Sequence, residues 1–472
     1  MRLTTQLAAV LPHLVVLSYS QQIGNLVPEV HPKLTTQVCT RAGGCVSRQT
    51  SLVTDALSRF FHAVGEPSVS CNPVNATLCP DAATCARSCA LEGVEYGSIG
   101  VLTKGSALTM RQFLPNGQGL QAVSPRVSLL AEDDENYELL KLVNQEFSFD
   151  VDVSQLGCGM NGALYLSEME ASGARSDSNP AGAAYGTGYC DAQCFNTTWI
   201  NGMPNLNSSG ACCNEMDIWE ANSLATATTP HPCNEAGSFT CEGAACGRTN
   251  AGACDKDGCG LNPFGAGVKN FYGPGMTVDT RSPFTVVTQF LTSDNSSAGT
   301  LSEIRRMYIQ NGTVVQQSPA TQGPQLEAIS TIDQNFCSAK NASSFERLGG
   351  LETMGASLQR GMVLLFSIWT SQGDFMNWLD SGSAGPCSNI SGNPETIMAE
   401  NPDASVTFSN IRWGEIGSTF NTSTTIGSGA AVLDAQASAL EAGRVTSNAV
   451  VRLPLAHGLL VAIATTFMKL LL

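Results

Sequence analysis

An antiparallel β-sandwich of two sheets is the fold this 472-residue sequence predicts, and three observations predict it. Short runs alternate apolar and polar residues with a period of two, turn-forming residues separate the runs, and long stretches of helical periodicity are nearly absent. In residues 146–155, Phe147, Phe149, Val151 and Val153 fall on one face and Ser148, Asp150, Asp152 and Ser154 on the other, the pattern of a half-buried strand. Residues 285–291, 362–370 and 406–413 are β-rich in the same way. Residues 307–315 read as a hairpin, because Asn311-Gly312 supplies the positive φ angles of a tight turn. One stretch dissents: Val53, Ala56, Leu57, Phe60, Phe61 and Val64 recur at helical spacing.

Composition and the chain ends set the context. Only 14% of residues are charged, against about 25% in an average soluble chain, which excludes a coiled coil or a charged disordered tail. Twenty-four Lys+Arg against 40 Asp+Glu leave a net charge of −16. Such a surface repels phosphate backbones and anionic headgroups, so nucleic acid is not an expected partner. Residues 1–20 carry Arg2, a largely apolar stretch from Leu7 to Leu17, and Ser18-Tyr19-Ser20 before Gln21, the small-x-small pattern of a signal-peptidase site. Export suits the eight Asn-x-Ser/Thr acceptors at Asn75, Asn196, Asn207, Asn295, Asn311, Asn341, Asn389 and Asn421. In an exported chain, 18 cysteines read as up to nine disulfides. A globular body over residues 21–420 is followed by a stalk rich in Ser, Thr, Ala and Gly (421–447) and a tail (448–472). Small residues around Asn448, a short spacer with Arg452 and a terminal apolar run form the pattern of a glycolipid-anchor signal. No basic flank follows the run, unlike a retained spanning helix.

The sharpest chemical feature is Asn214-Glu215-Met216-Asp217-Ile218-Trp219-Glu220-Ala221-Asn222. On a strand, Glu215 and Asp217 share one face and Glu220 has the wrong parity. A single β-bulge after Asp217 would return Glu220 to that face, and bulges recur beside active sites. Glu215 and Glu220 would then stand about four strand steps, or about 13 Å, apart along the backbone. Two carboxyls leaning inward would approach to roughly 5–6 Å, the separation of retaining glycosidases. An acid-rich edge strand facing solvent is the plainer alternative. It leaves unexplained the apolar residues between the acids, the adjacent Cys212 and Cys213, and the crowding of like charges on one face.

Glu-Met-Asp-Ile-Trp-Glu-Ala-Asn (215–222) resembles the signature of glycoside hydrolase family 7, the secreted fungal cellulases. The resemblance extends from about Gln21 to Ser418 through Pro28-Glu29-Val30-His31-Pro32-Lys33-Leu34, Phe147-Ser148-Phe149-Asp150-Val151-Asp152-Val153, Tyr185-Gly186-Thr187-Gly188-Tyr189-Cys190-Asp191 and Met376-Asn377-Trp378-Leu379-Asp380-Ser381. It implies a β-jelly-roll sandwich with a long open groove, and a monomer acting on β-glucan without a cofactor or metal. It also implies Glu215 as nucleophile, Asp217 as its hydrogen-bonding partner and Glu220 as general acid/base. Asn161, Tyr165, Asp191 and His231 would contact substrate near the cleaved bond, and Trp369 and Trp378 would be stacking platforms for sugar rings. Without the resemblance, His231 between Pro230 and Pro232 reads as a loop cap, and Trp369 in a β-run reads as core.

The segment from Cys194 to Cys212 encloses only 17 residues and the one from Ser381 to Cys387 is equally abrupt, which resembles the endo-acting members. The arginines that tunnel-forming members place on the product side are absent near Gly265 and over residues 382–386. Residues 55–62 depart from the family in carrying Ser58 and Phe60 where two tryptophans are usual. The alignment makes this stretch a strand, against its helical periodicity. The resemblance further implies the pairs Cys39–Cys45, Cys71–Cys89, Cys79–Cys85, Cys158–Cys387, Cys190–Cys213, Cys194–Cys212, Cys233–Cys254, Cys241–Cys246 and Cys259–Cys337. A zinc site is disfavoured, since His31, His62 and His231 are not at ligand spacing from one another. The expected activity is that of a secreted retaining endo-β-1,4-glucanase, held at the cell surface by its tail. A wall transglycosylase, a catalytically silent glucan binder and a cellobiohydrolase are the alternatives, and cellulose, mixed-linkage glucan and xyloglucan stay open as substrates.

Overall fold

The computed structural model describes residues 21–74, 77–248, 251–316 and 331–420. The leader, stalk and tail segments and the acceptors Asn75 and Asn421 lie outside the described residues. Twelve strands carry the architecture: β1 Lys33–Thr40, β2 Gly44–Thr54, β3 Arg126–Leu130, β4 Gln145–Asp152, β5 Met160–Ser167, β6 Glu215–Ala221, β7 Thr226–His231, β8 Phe284–Thr292, β9 Leu301–Gln310, β10 Thr313–Gln316, β11 Met362–Thr370 and β12 Ser405–Glu415. They follow one hydrogen-bonded order, β7-β6-β5-β11-β3-β2-β1-β12-β4-β8-β9-β10. The order folds over into two layers, and the pairing is antiparallel except between β1 and β12, which run parallel with Gln37 opposite Arg412.

Alternation along each strand decides what lies between the layers. From one layer, Leu164 and Leu166 of β5 and Leu364, Phe366 and Ile368 of β11 enter the main core. From the other come Phe147, Phe149 and Val151 of β4 and Phe408 of β12. Rings meet across the interior: Phe366 and Phe408 have centroids 5.4 Å apart, and Phe149 and Trp219 6.0 Å. The opposite faces of β5 and β11 present Asn161, Ala163, Tyr165 and Ser167 beside Val363, Leu365, Ser367 and Trp369, in register. This second face carries the site.

The hairpin forms with Asn311 and Gly312 at φ 52° and 72°. Its first strand begins at Leu301, six residues before the apolar alternation becomes visible. Residues 55–62 are neither a helix nor a continuous strand. Strand β2 ends at Thr54, Asp55 accepts the Leu57 N–H at 2.9 Å to cap a single 3-10 turn over Ala56–Ser58, and extended pairing resumes at Phe61–Ala63. The apolar period there is fortuitous: Val53 packs beneath the site face, Phe61 packs on Trp199 at 4.4 Å, and Phe60 is exposed. All nine disulfides join the pairs that the family resemblance implies. Cys190–Cys213 and Cys194–Cys212 fasten the start of β6.

Candidate active site

Strand β6 contains the bulge. Against β7, Asp217 opposes Thr229 but Glu220 opposes Ala227, so three steps on β6 match two on its neighbour. Against β5, Met216 opposes Leu166 and Trp219 opposes Leu164, with the same single extra residue. Its mark in the sequence is that adjacent Ile218 and Trp219 both enter the core with Met216 and Ala221. Glu215, Asp217 and Glu220 are thereby left on the site face. Glu215 opposes His231 and Ser167, whereas Glu220 opposes Ala227 and Ala163. The two glutamates thus stand four partner-strand steps apart, about 13 Å along the backbone.

Each acid has its own surroundings. Glu215 is buried and accepts the Ala192 N–H at 3.0 Å. Burial, then Asp217 and Asp191, push its carboxyl well above the ordinary range, while His231 and the Ala192 N–H act in the opposite direction. Asp217 Oδ2 lies 3.0 Å from His231 Nε2. His231 Nδ1 lies 2.8 Å from the Asp255 carbonyl, which can only accept, so Nδ1 carries a proton. Nε2 is thus the nitrogen that faces Asp217. Burial and the Asp191 charge raise Asp217 to about 8. Glu220 is part-exposed and accepts the Asn161 amide N–H at 2.9 Å. The Asn161 carbonyl in turn accepts the Ala221 N–H at 3.1 Å, fixing the amide's orientation. Burial first, and Asp217 second, push Glu220 up to about 8.

Of the other expected residues, Asn161, Tyr165, Trp369, His231 and Asp191 lie on or beside this face. Asp191 accepts the N–H groups of Gln193 and Cys194 at 2.9 and 3.1 Å and the Tyr189 hydroxyl at 2.7 Å. Tyr189 lies 3.1 Å, oxygen to oxygen, from Tyr165. Trp369 is half-buried and pairs in register with Asn161. Trp378 is 44% exposed on the single turn Asn377–Asp380. Asp380 anchors that turn by accepting from Gly159 N and Asn222 Nδ2, both at 2.7 Å. Sequence reasoning missed Tyr189, Arg126 and Asp55. The Arg126 guanidinium stacks 3.4 Å from the Tyr189 ring centroid and pairs with Asp55. Tyr189 lay within a recognised motif, whereas Arg126 carried no local signal.

Two carboxyls on one face, four partner-strand steps apart, can attack a sugar carbon and protonate the departing oxygen when one is ionised and the other holds a proton. Comparison with known proteins agrees with that chemistry. The chain is 56% identical over 405 residues to a probable endo-beta-1,4-glucanase celB of Aspergillus flavus, covering 85% of this chain and 96% of that one. It is 52% identical over 404 residues to endoglucanase EG-1 of Hypocrea jecorina, covering 85% and 81%. Among solved structures, the native endocellulase EGI of Humicola insolens superposes with a TM-score of 0.80 at 46% identity, covering 85% of this chain and all of that one. A family 7 cellobiohydrolase from Daphnia pulex superposes with a TM-score of 0.78 at 34% identity, covering 85% and 100%. Residues 23–420 match the model of glycosyl hydrolase family 7, and the chain belongs to that family.

Proposed function

We propose that the chain is a retaining endo-β-1,4-glucanase in which Glu215 is the nucleophile, Glu220 the general acid/base and Asp217 the group that orients Glu215. The observation that carries this reading is the one-residue bulge, which gives Glu215 and Glu220 a common face four partner-strand steps apart, from which carboxyls leaning toward each other approach the separation of double displacement. Glu220, raised to about 8, keeps a proton at neutral pH for the departing sugar oxygen. The Ala192 N–H and His231 favour the Glu215 anion that must attack, against burial and the neighbouring Asp217 and Asp191, which hold its carboxyl well above the ordinary range. Water or a second sugar then attacks the glycosyl-Glu215 ester with Glu220 acting as base. Trp369 and Trp378 offer flat faces for sugar stacking, and Asn161, Tyr165, Asp191 and His231 serve as the polar contacts near the cleaved bond. Endo rather than chain-end action is supported by the 45–56% identity to proteins named for endo activity, against 34–35% for those named cellobiohydrolase.

On carboxymethylcellulose the protein should release reducing ends while viscosity falls steeply. Folded Glu215→Gln and Glu220→Gln variants should lose nearly all of both activities. Near-normal turnover by either one removes the mechanism.

Export, N-glycosylation and attachment to the producing cell complete the proposal. Six acceptors in the described residues, Asn196, Asn207, Asn295, Asn311, Asn341 and Asn389, are exposed and open to a glycan. Release of activity from intact cells by phosphatidylinositol-specific phospholipase C tests the anchor; activity that stays on the cells, or is free from the start, refutes it.

A further inference from the structure

The acid-bearing bulge has a partner in the opposite layer. On β9, Ile304 and Tyr308 point into the core, and Arg306 lies between them at 2% exposure. It forms no ion pair among the described residues. Its Nε donates to Thr288 Oγ1 at 3.1 Å, its Nη2 donates to the Ile218 carbonyl, and its guanidinium faces the Trp219 ring at 5.9 Å. Ile218 is the residue for which neither β5 nor β7 supplies a ladder partner. A bulge leaves the backbone of its extra residue unpaired, and a buried carbonyl needs a donor. The preceding carbonyl, of Asp217, is likewise met by a side chain, the Thr228 hydroxyl at 2.9 Å.

We propose that Arg306 and Thr228 are positioning residues for catalysis: they hold the two carbonyls displaced by the bulge and so keep the extra residue between Asp217 and Glu220. Slipping the strand by one residue turns every following side chain to the other face. A bulge that migrates or relaxes therefore carries Glu220 away from Asn161, while Glu215 stays fixed by the Ala192 N–H and the two disulfides before it. The inference rests on the reading of Glu220 as the acid/base.

The test compares two cellobiosides, one with a 2,4-dinitrophenol leaving group that departs without protonation and one with a methylumbelliferone leaving group that needs it. Arg306→Met should lower kcat on the second by about 100-fold with KM little changed, and leave formation of the glycosyl-enzyme from the first within about threefold. Its basic pH limb should also move. Arg306→Lys should restore part of the loss, and Thr228→Val should show the same leaving-group dependence at about tenfold. If Arg306→Met does not fold, the other two variants decide. Folded variants whose ratio of the two activities equals that of the unaltered protein overturn the proposal. Glu220→Gln serves as the reference: if it lacks the leaving-group dependence, the acid/base reading fails. If it shows the dependence and the Arg306 and Thr228 variants do not, only the positioning role fails.

Discussion

Removing the amide of Asn161 should shift the pH dependence of the enzyme in a direction fixed by the site. The Asn161 N–H favours the ionised form of Glu220, so deleting it makes the proton harder to lose. A hydrogen bond to a charged group contributes about 1.5–3 kcal/mol, equivalent to roughly one to two pH units at about 1.36 kcal/mol each. Glu220 is part-exposed, so water replaces some of that bond, and the basic limb of kcat/KM in Asn161→Ala should rise by about one pH unit. The acid would stay protonated to higher pH than the present value of about 8, but kcat would fall by about tenfold as the carboxyl loses its fixed orientation. Losing the partner of the Ala221 N–H should cost about 1 kcal/mol, a small drop in Tm. The assay is a pH profile on a chromogenic cellobioside, with the dinitrophenyl substrate as control because it bypasses the acid. A basic limb that stays in place or moves down, in a variant with near-native Tm, would falsify the assignment of that limb to Glu220.

Three further outcomes follow from the same geometry. Glu215→Ala with azide should yield the α-glycosyl azide and Glu220→Ala with azide the β-product, as polarimetry or NMR of the products will show; exchanged anomers would reverse the two roles. Trp378→Ala should raise KM for cello-oligosaccharides by about fivefold to tenfold, as expected of a lost stacking platform, and leave Tm unchanged, since the ring is exposed. Replacing Cys158 and Cys387 by Ser opens a loop closed over a separation of 229 residues. This should cost up to about 5 kcal/mol, measured by denaturant unfolding, and a shift within error would mean that the remaining bridges already hold the loop.

Much of this site was legible because parity is arithmetic. The odd placement of Glu220 relative to Glu215 and Asp217 demanded an extra residue, and the register supplies it between Asp217 and Glu220. Strands β4, β8 and β11 announced themselves because alternation and burial coincide along them. Asn161 and Tyr165 had no such mark. They sit in a strand buried throughout its length, and nothing local tells the polar site face from the core face. The visible alternation covers only the second part of strand β9, because Arg306 ahead of it is a charged residue that points inward to a backbone oxygen. A pattern of hydrophobicity cannot show a cation whose acceptor is a carbonyl 88 residues away. Residues 55–62 misled in the opposite sense, since an apolar period arose from side chains serving separate clusters on either side of a capped turn.

The bulge also constrains how descendants of this chain can change. Because backbone spacing advances by about 3.3 Å with each residue, the gap between Glu215 and Glu220 is adjustable only in whole-codon jumps, and a jump of one also inverts the orientation of everything beyond it. Gradual drift in neighbouring side chains can retune affinity or acidity, whereas loss of a single codon between Asp217 and Glu220 should abolish the proposed chemistry in one event. Selection on this stretch should therefore tolerate substitution far more readily than length variation.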